Sequence, residues 1–170
     1  MGGHNMQTEI VSIDGLGASE CEAWNAFRAN TPSLRSPYFT TEFTRAVART
    51  RPDTRIAILH RNGTIAGFLP LHLSRSGFAR PIGDPLGDHH GLITDTPDLD
   101  VAAALAGTGF GVFNFHGALA EQASFARAGT HAPETSCVSD LSAFGVLQAA
   151  RAHGLEVADG IAIGGFGAYG

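Results

Sequence analysis

The stretch from Arg55 to Leu73 constrains this chain more than any other. Arg55 to His60 has the composition of a strand, and Asn62-Gly63 is the two-residue signal for a tight hairpin turn. Thr64 to Leu73 is the returning strand. In that strand Ile65, Leu69, Leu71 and Leu73 share one face, with Gly67 between them. Thr64, Ala66, Phe68, Pro70 and His72 share the other. Pro70 has no N–H to donate to a ladder, so a bulge or an unpaired edge is expected there.

The flanking elements follow from local signals. Thr8 to Ile13 reads as a first strand, closed by Asp14-Gly15. Ser19 and Glu22 have capping-box spacing at the start of a helix. Cys21, Trp24 and Phe27 fall on one face of it, and Thr31-Pro32-Ser33 ends it. Thr40 or Thr41 caps a second helix, with Glu42 in its first turn and Phe43, Ala46 and Val47 as its apolar stripe; Arg51-Pro52-Asp53 stops it. Beyond the hairpin, Ala79 to Ile93 is expected to be an irregular strand broken by a loop at Asp84 to His90. A short helix follows through Leu99, Ala102, Ala103 and Leu105. Phe110 to His116 is a strand, Leu119 to Ala126 a helix, Thr135 to Leu141 a strand, and Ser142 caps a last helix through Phe144 and Leu147. The fold class expected is α/β (α+β), with a mixed, mostly antiparallel sheet covered by helices.

Composition narrows the function. The 170 residues are 44% hydrophobic and 16% charged, enough to bury a core. The formal charge of −5 argues against a nucleic-acid or anionic-lipid partner. All 11 basic residues are Arg, which excludes catalysis through a lysine Schiff base. The two cysteines, Cys21 and Cys137, form no C-x-x-C pair and read as core; a reducing, cytoplasmic setting is the expectation. No apolar run is long enough to span a membrane. Residues 1–6 are polar and Gly-rich, read as disordered, and lack the layout of a signal peptide.

One cluster stands out chemically. Asp84, Asp88, His89 and His90 lie within seven residues. Carboxylates and imidazoles at this density suit a metal, a proton-handling Asp–His pair, the lining of a substrate pocket, or a solvated Gly/Pro loop. Adjacent His89 and His90 point opposite ways on extended backbone, which counts against both ligating one ion, so no metal is assigned. His60 and His72 on the hairpin read as surface or core-edge imidazoles, and His116 as a strand-end imidazole. The Arg45, Arg49, Arg51 and Arg55 cluster could meet an acidic sugar or phosphate, or simply be a solvated helix end. Gly107 to Gly111 contains a G-x-G pattern, but after a helix and before a strand, the reverse of a dinucleotide site. No G-x-S-x-G elbow supports a hydrolase.

The order of elements matches the GCN5-related N-acetyltransferase fold, and three stretches resemble the amino-terminal half of the CelD-type (cellulose-biosynthesis-associated) acetyltransferase family. Ser36-Pro-Tyr-Phe-Thr-Thr-Glu-Phe is similar to that family's S-P-F-x-x-x-x-W/F motif. Ala57 to Leu73 resembles its G-x-x-x-G-x-x-P-L hairpin. Pro81 to Ile93 resembles L-G-x-x-x-x-D-Y/H/F-x-G-x. The resemblance covers roughly residues 7–141 as one acetyltransferase-like half-domain and implies an acyl transfer from acetyl-CoA or another acyl-CoA. The acceptor it implies is a small-molecule amine or hydroxyl, including one on an exopolysaccharide-linked sugar. It places the Asp88 to His90 loop near the cleft, so Asp88, His89 and His90 are the candidates for proton handling or substrate contact. It also implies a second half that carries the acyl-CoA.

In such folds the cofactor's diphosphate lies on a loop of the form R/Q-x-x-G-x-G/A. The corresponding Thr94 to Asp100 has three carboxylates, one proline and no glycine. Each would repel a diphosphate by a few kcal/mol at about 4–5 Å and surface-like dielectric. This half is therefore not expected to bind acyl-CoA alone, and no cofactor-binding residue is assigned. Its expected partners are the missing second half or, in the alternative reading of a non-catalytic scaffold, a further copy of itself. Residues 142–170 depart from the resemblance as an atypical tail, of which Gly160 to Gly170 is uncharged and almost all Gly, Ala and Ile, as a truncated or frame-shifted gene would produce.

Overall fold

A computed structural model describes residues 6–84, 89–96, 98–105, 108, 110–114, 118–119, 121–122 and 124. The chain divides into two units, Met1–Ala128 and Gly129–Gly170. The second lies outside the described residues, as do Asp88, His116, Cys137 and every element expected beyond residue 124.

Five strands form one sheet in the order β1 (Met6–Val11), β2 (Thr54–Arg61), β3 (Thr64–Leu73), β4 (Phe78–Pro81), β5 (Val112–Phe113). The first four are antiparallel to their neighbours, and β5 is parallel to β4. The helices are α1 (Ala18–Asn30), α2 (Thr41–Ala48) and α3 (Val101–Leu105). The protein is thus α+β with a mostly antiparallel sheet, compatible with the acetyltransferase-like order expected.

Local chemistry accounts for most element ends. At the β2–β3 turn Asn62 and Gly63 both take positive φ, 54° and 80°, which matches a turn's twist to that of the strands. The Thr40 hydroxyl accepts the Phe43 N–H at 3.0 Å and caps α2, so Thr40 rather than Thr41 is its N-cap. The capping box expected at Ser19 does not form. Gly17 is the N-cap of α1, and Ser19 sits inside the helix with its hydroxyl on Glu20 Oε2. β1 begins at Met6, inside the segment expected to be disordered.

The hairpin carries a bulge that the alternation of residues did not predict. Leu59 faces Gly67 while His60 faces Ile65, so Ala66 is an extra residue in β3. The extra residue reverses the faces beyond it. Ala66 joins Leu69 and Leu71 in one cluster, and Ile65 lies against Phe68 in the other. Gly67 permits this, because a Cβ there would stand 3.1 Å from Thr94 Cβ and 3.2 Å from the Ile93 carbonyl.

Each face of the sheet is covered. Leu59, Leu69, Leu71 and Ala79 pack with Leu92, Leu99, Val101 and Ala104. On the same side the Thr8 hydroxyl donates to the Ala104 carbonyl, tying α3 to the edge strand β1. On the other face α1 lays Trp24, fully buried, against Phe68 with ring centroids 5.0 Å apart. The Trp24 indole donates to the Phe39 carbonyl at 2.9 Å, so the same side chain locks the Pro37–Phe39 turn onto α1. Cys21, expected in the core of α1, is only half-buried and lies 4.0 Å from Arg45.

Candidate functional site

β4 does not run the length of β3. It pairs with β3 from Leu73 to Leu71, leaves at Pro81, and the chain rejoins β3 only where Ile93 bridges Phe68. Phe68 and Ile93 exchange both backbone bonds, at 3.0 and 2.8 Å. Two residues along, Pro70 turns its nitrogen toward the same edge and has no proton to offer. The unpaired edge expected at Pro70 therefore falls where the chain leaves the sheet, among the described residues.

A cleft of about 370 Å³, counting its open mouth, occupies this gap. Tyr38 and Phe39 line it from the turn before α2. Leu69 and Pro70 line it from β3, and Phe113 and Ala118 close the β5 side. Pro81, Ile82, His89, His90 and Gly91 supply the excursion's own wall. The Tyr38 ring is held edge-on to Phe43 of α2 at a centroid distance of 5.2 Å. The walls are thus mostly apolar, with two imidazoles and one phenol as polar groups.

His89 is exposed and His90 is buried, in keeping with adjacent side chains on extended backbone. The backbone carbonyl of His90 accepts the Leu119 N–H at 3.0 Å, which seats the strand-like stretch. Two positions on, the Gln122 amide behaves like a strand partner for Leu92: its Oε1 accepts the Leu92 N–H at 2.8 Å and its Nε2 donates to the Leu92 carbonyl at 2.7 Å. Of the sequence candidates, His89 and His90 line the same cleft; Asp88 lies outside the described residues. Among the described residues no group of three or more His, Cys, Asp or Glu side chains is placed to hold a metal.

Within the Thr94 to Asp100 segment the Thr96 and Leu99 amides are used internally. The Thr94 hydroxyl accepts the Thr96 N–H at 3.0 Å and donates to the Ala66 carbonyl at 2.6 Å. Leu99 N–H goes to the Thr96 carbonyl, and the Asp100 carboxylate accepts the Ala103 N–H at 2.9 Å, capping α3. A carboxylate thus sits where a helix would otherwise present its first-turn donors to an anion.

His72 is the group that residue-by-residue reading missed. Expected at the surface or core edge, it is buried, with 2% of its surface exposed. Its Nδ1 lies 3.3 Å from Asp53 Oδ1 and 3.5 Å from the Thr54 hydroxyl, and its Nε2 accepts the Gly83 N–H at 3.1 Å. A backbone N–H can only donate, so Nε2 carries no proton. The ring is neutral, with its one proton on Nδ1 facing Asp53. Burial pushes the His72 pKa below its ordinary value, helped by the positive Arg51 and Arg80 and opposed by Asp53. Arg51 grips Asp53 with two bonds, at 3.1 and 2.9 Å, and holds its carboxyl below the usual carboxylate range. In the bulged register His72 stands opposite Thr54, one residue from Asp53.

The same contacts assign two of the four clustered arginines. Arg51 serves Asp53, and Arg55 donates to the carbonyls of Pro52 and Thr54, at 2.9 and 2.6 Å. They brace the α2–β2 connection.

The fold and cleft define an α+β domain with a small, histidine-bearing cleft at a break in its sheet. Comparison with family models, with curated proteins and with solved structures finds no match. Among the described residues no helix is long and apolar enough to cross a membrane.

Proposed function

We propose that the cleft is the acceptor site of an acyltransferase half-domain, in which acyl-CoA is carried by a second half. One observation supports this most. The three stretches that resemble the CelD-type family are separate in the sequence, and each contributes to one cleft: Tyr38 and Phe39 from the first, Leu69 and Pro70 from the second, and Pro81, Ile82 and His89 to Gly91 from the third. Aromatic and proline walls suit the apolar face of a sugar. His89, exposed at the cleft, would take the proton of an acceptor amine or hydroxyl as it attacks the thioester carbon, and the C–S bond breaks to release the CoA thiolate. His90 forms part of the wall. Asp88, the preceding residue in the sequence, is the carboxylate that would pair with an imidazole in proton handling. The internally capped Thr94 to Ala103 stretch supports assigning the diphosphate to the other half.

Calorimetric titration tests the reading with two probes, glucosamine and acetyl-CoA. The proposal expects binding of glucosamine that His89→Ala weakens, and no heat from acetyl-CoA alone. Tight binding of acetyl-CoA by this chain, or no glucosamine binding in the presence of intact fold, would refute it.

A second reading, a self-associating scaffold, draws on Phe78 and Val112. They are direct register partners across β4 and β5, and both are exposed, at 38% and 54%. Sedimentation that shows a dimer dispersed by Val112→Glu, together with no binding of either probe, would favour it.

A further inference from the structure

The excursion that builds the cleft wall begins at the turn Pro81 to Asp84, and the His72 side chain ties that turn to β3. Gly83 has φ 76° and would bring a Cβ within 2.9 Å of the Phe43 ring, so its backbone is pressed between α2 and β3. Its N–H points at His72 Nε2, 3.1 Å away. The neighbouring Pro81 and Ile82 line the cleft. Whatever sets the position of Gly83 therefore sets that wall.

We propose that His72 is a proton-operated latch on the cleft: as a neutral imidazole it pins the Pro81–Asp84 turn through the Gly83 N–H, and protonation at Nε2 releases the turn. The logic is stoichiometric. A neutral ring with its proton on Nδ1 has one acceptor, and the Gly83 N–H uses it. Adding a proton to Nε2 sets two donors against each other at hydrogen-bond distance, and one must withdraw. His72 lies in a central strand and is buried, whereas Gly83 lies in a turn, so Gly83 moves.

The charges around the ring come from every element packed on it. Asp53 of the α2–β2 connection stays beside Nδ1 and would keep the protonated ring in place. Arg51 on that connection and Arg80 on β4 oppose its charging. Asp84 of the turn pairs with Arg80 at 3.4 Å, which leaves the turn tethered by an ion pair after the latch opens. Release is thus a local movement of the wall with the sheet intact. That the gated wall belongs to a working site rests on the proposed function; the latch itself does not.

Nitrogen-15 spectra of the histidine rings, recorded with amide exchange of the full chain between pH 8 and pH 4.5, test the proposal. The expected result is a His72 ring protonated on Nδ1 alone at high pH. As that ring titrates, Gly83 amide protection, corrected for intrinsic exchange, falls about tenfold while Leu59 and Leu71 stay protected. His72→Asn, which has no acceptor at the Nε2 position, should leave Gly83 unprotected at every pH. A ring protonated on Nε2 in the neutral state, or Gly83 protection unchanged through the titration, would overturn the latch. Both readouts stand on the wild-type chain even where the variant fails to fold, and neither depends on glucosamine binding.

Discussion

On one side of Pro70 the sheet is held by a continuous ladder and by apolar clusters on both faces. On the other side, between Pro81 and Ile93, the described residues are held by scattered polar contacts: His72 to Gly83, Arg80 to Asp84, Leu119 to His90, and the paired bonds of Gln122 to Leu92. The first arrangement distributes its stability over many contacts that carry no charge. The second concentrates it in a few polar groups, each of which can be broken, titrated or displaced alone. A wall that can be displaced belongs to the second kind, since the low-stability parts of a fold are those that can move at little cost.

The largest break in this contrast comes from the hairpin side. Trp24→Ala removes the side chain that both covers Phe68 and locks the Phe39 carbonyl, and should cost about 3–5 kcal/mol in urea unfolding. A loss below about 1 kcal/mol would mean that α1 does not hold that face. On the excursion side, Gln122→Ala leaves the Leu92 N–H and carbonyl without their partner in a buried site. The expected cost is about 1–3 kcal/mol, with Leu92 amide exchange accelerated and the β2–β3 amides unchanged. Equal acceleration across β2 and β3 would erase the distinction between the two regions.

A smaller effect follows from pH. The folded-state pKa of His72 is lowered, so between that value and the ordinary value near 6.5 the unfolded chain binds more protons than the folded one. Stability then rises with pH across this window. The contribution is fully present above the unfolded value and is lost as pH falls to the folded one. Unfolding midpoints measured from pH 7.5 down to pH 5 should decline, and His72→Asn should flatten the decline. A midpoint that climbs on acidification would contradict the assignment of a neutral His72.

Smallest of all should be the effect of His89→Ala on stability. An exposed side chain at the cleft is expected to change unfolding by no more than about 0.5 kcal/mol, while glucosamine binding weakens. A larger loss of stability would make His89 a structural residue.

These differences also explain which parts were legible in the residues. The Asn62-Gly63 turn, the Thr40 cap and the unpaired edge at Pro70 are local: each depends on a dihedral preference, a hydroxyl three residues from an N–H, or a missing proton. The bulge at Ala66 was not legible, because it is set by how closely the Ile93–Thr94 backbone approaches Gly67, a contact between segments far apart in sequence. Its consequence, the reversal of Ile65 and Ala66 between faces, was hidden for the same reason. His89 and His90 were found by their density of titratable groups, and the structure puts both on one cleft. His72 was passed over because its partners come from three places, the α2–β2 connection, β2 and the turn after β4, and only the hairpin register brings the first of them beside it.

The central claim is that three separated stretches form one acceptor-binding cleft. The most direct measurement is an amide and aromatic NMR map of the full chain titrated with glucosamine. The account predicts saturable shifts that appear together at Tyr38, Leu69 and His89 to Gly91, with Thr96 to Ala103 unmoved. Shifts confined to Thr96 to Ala103, or none at the cleft at any concentration, would contradict it.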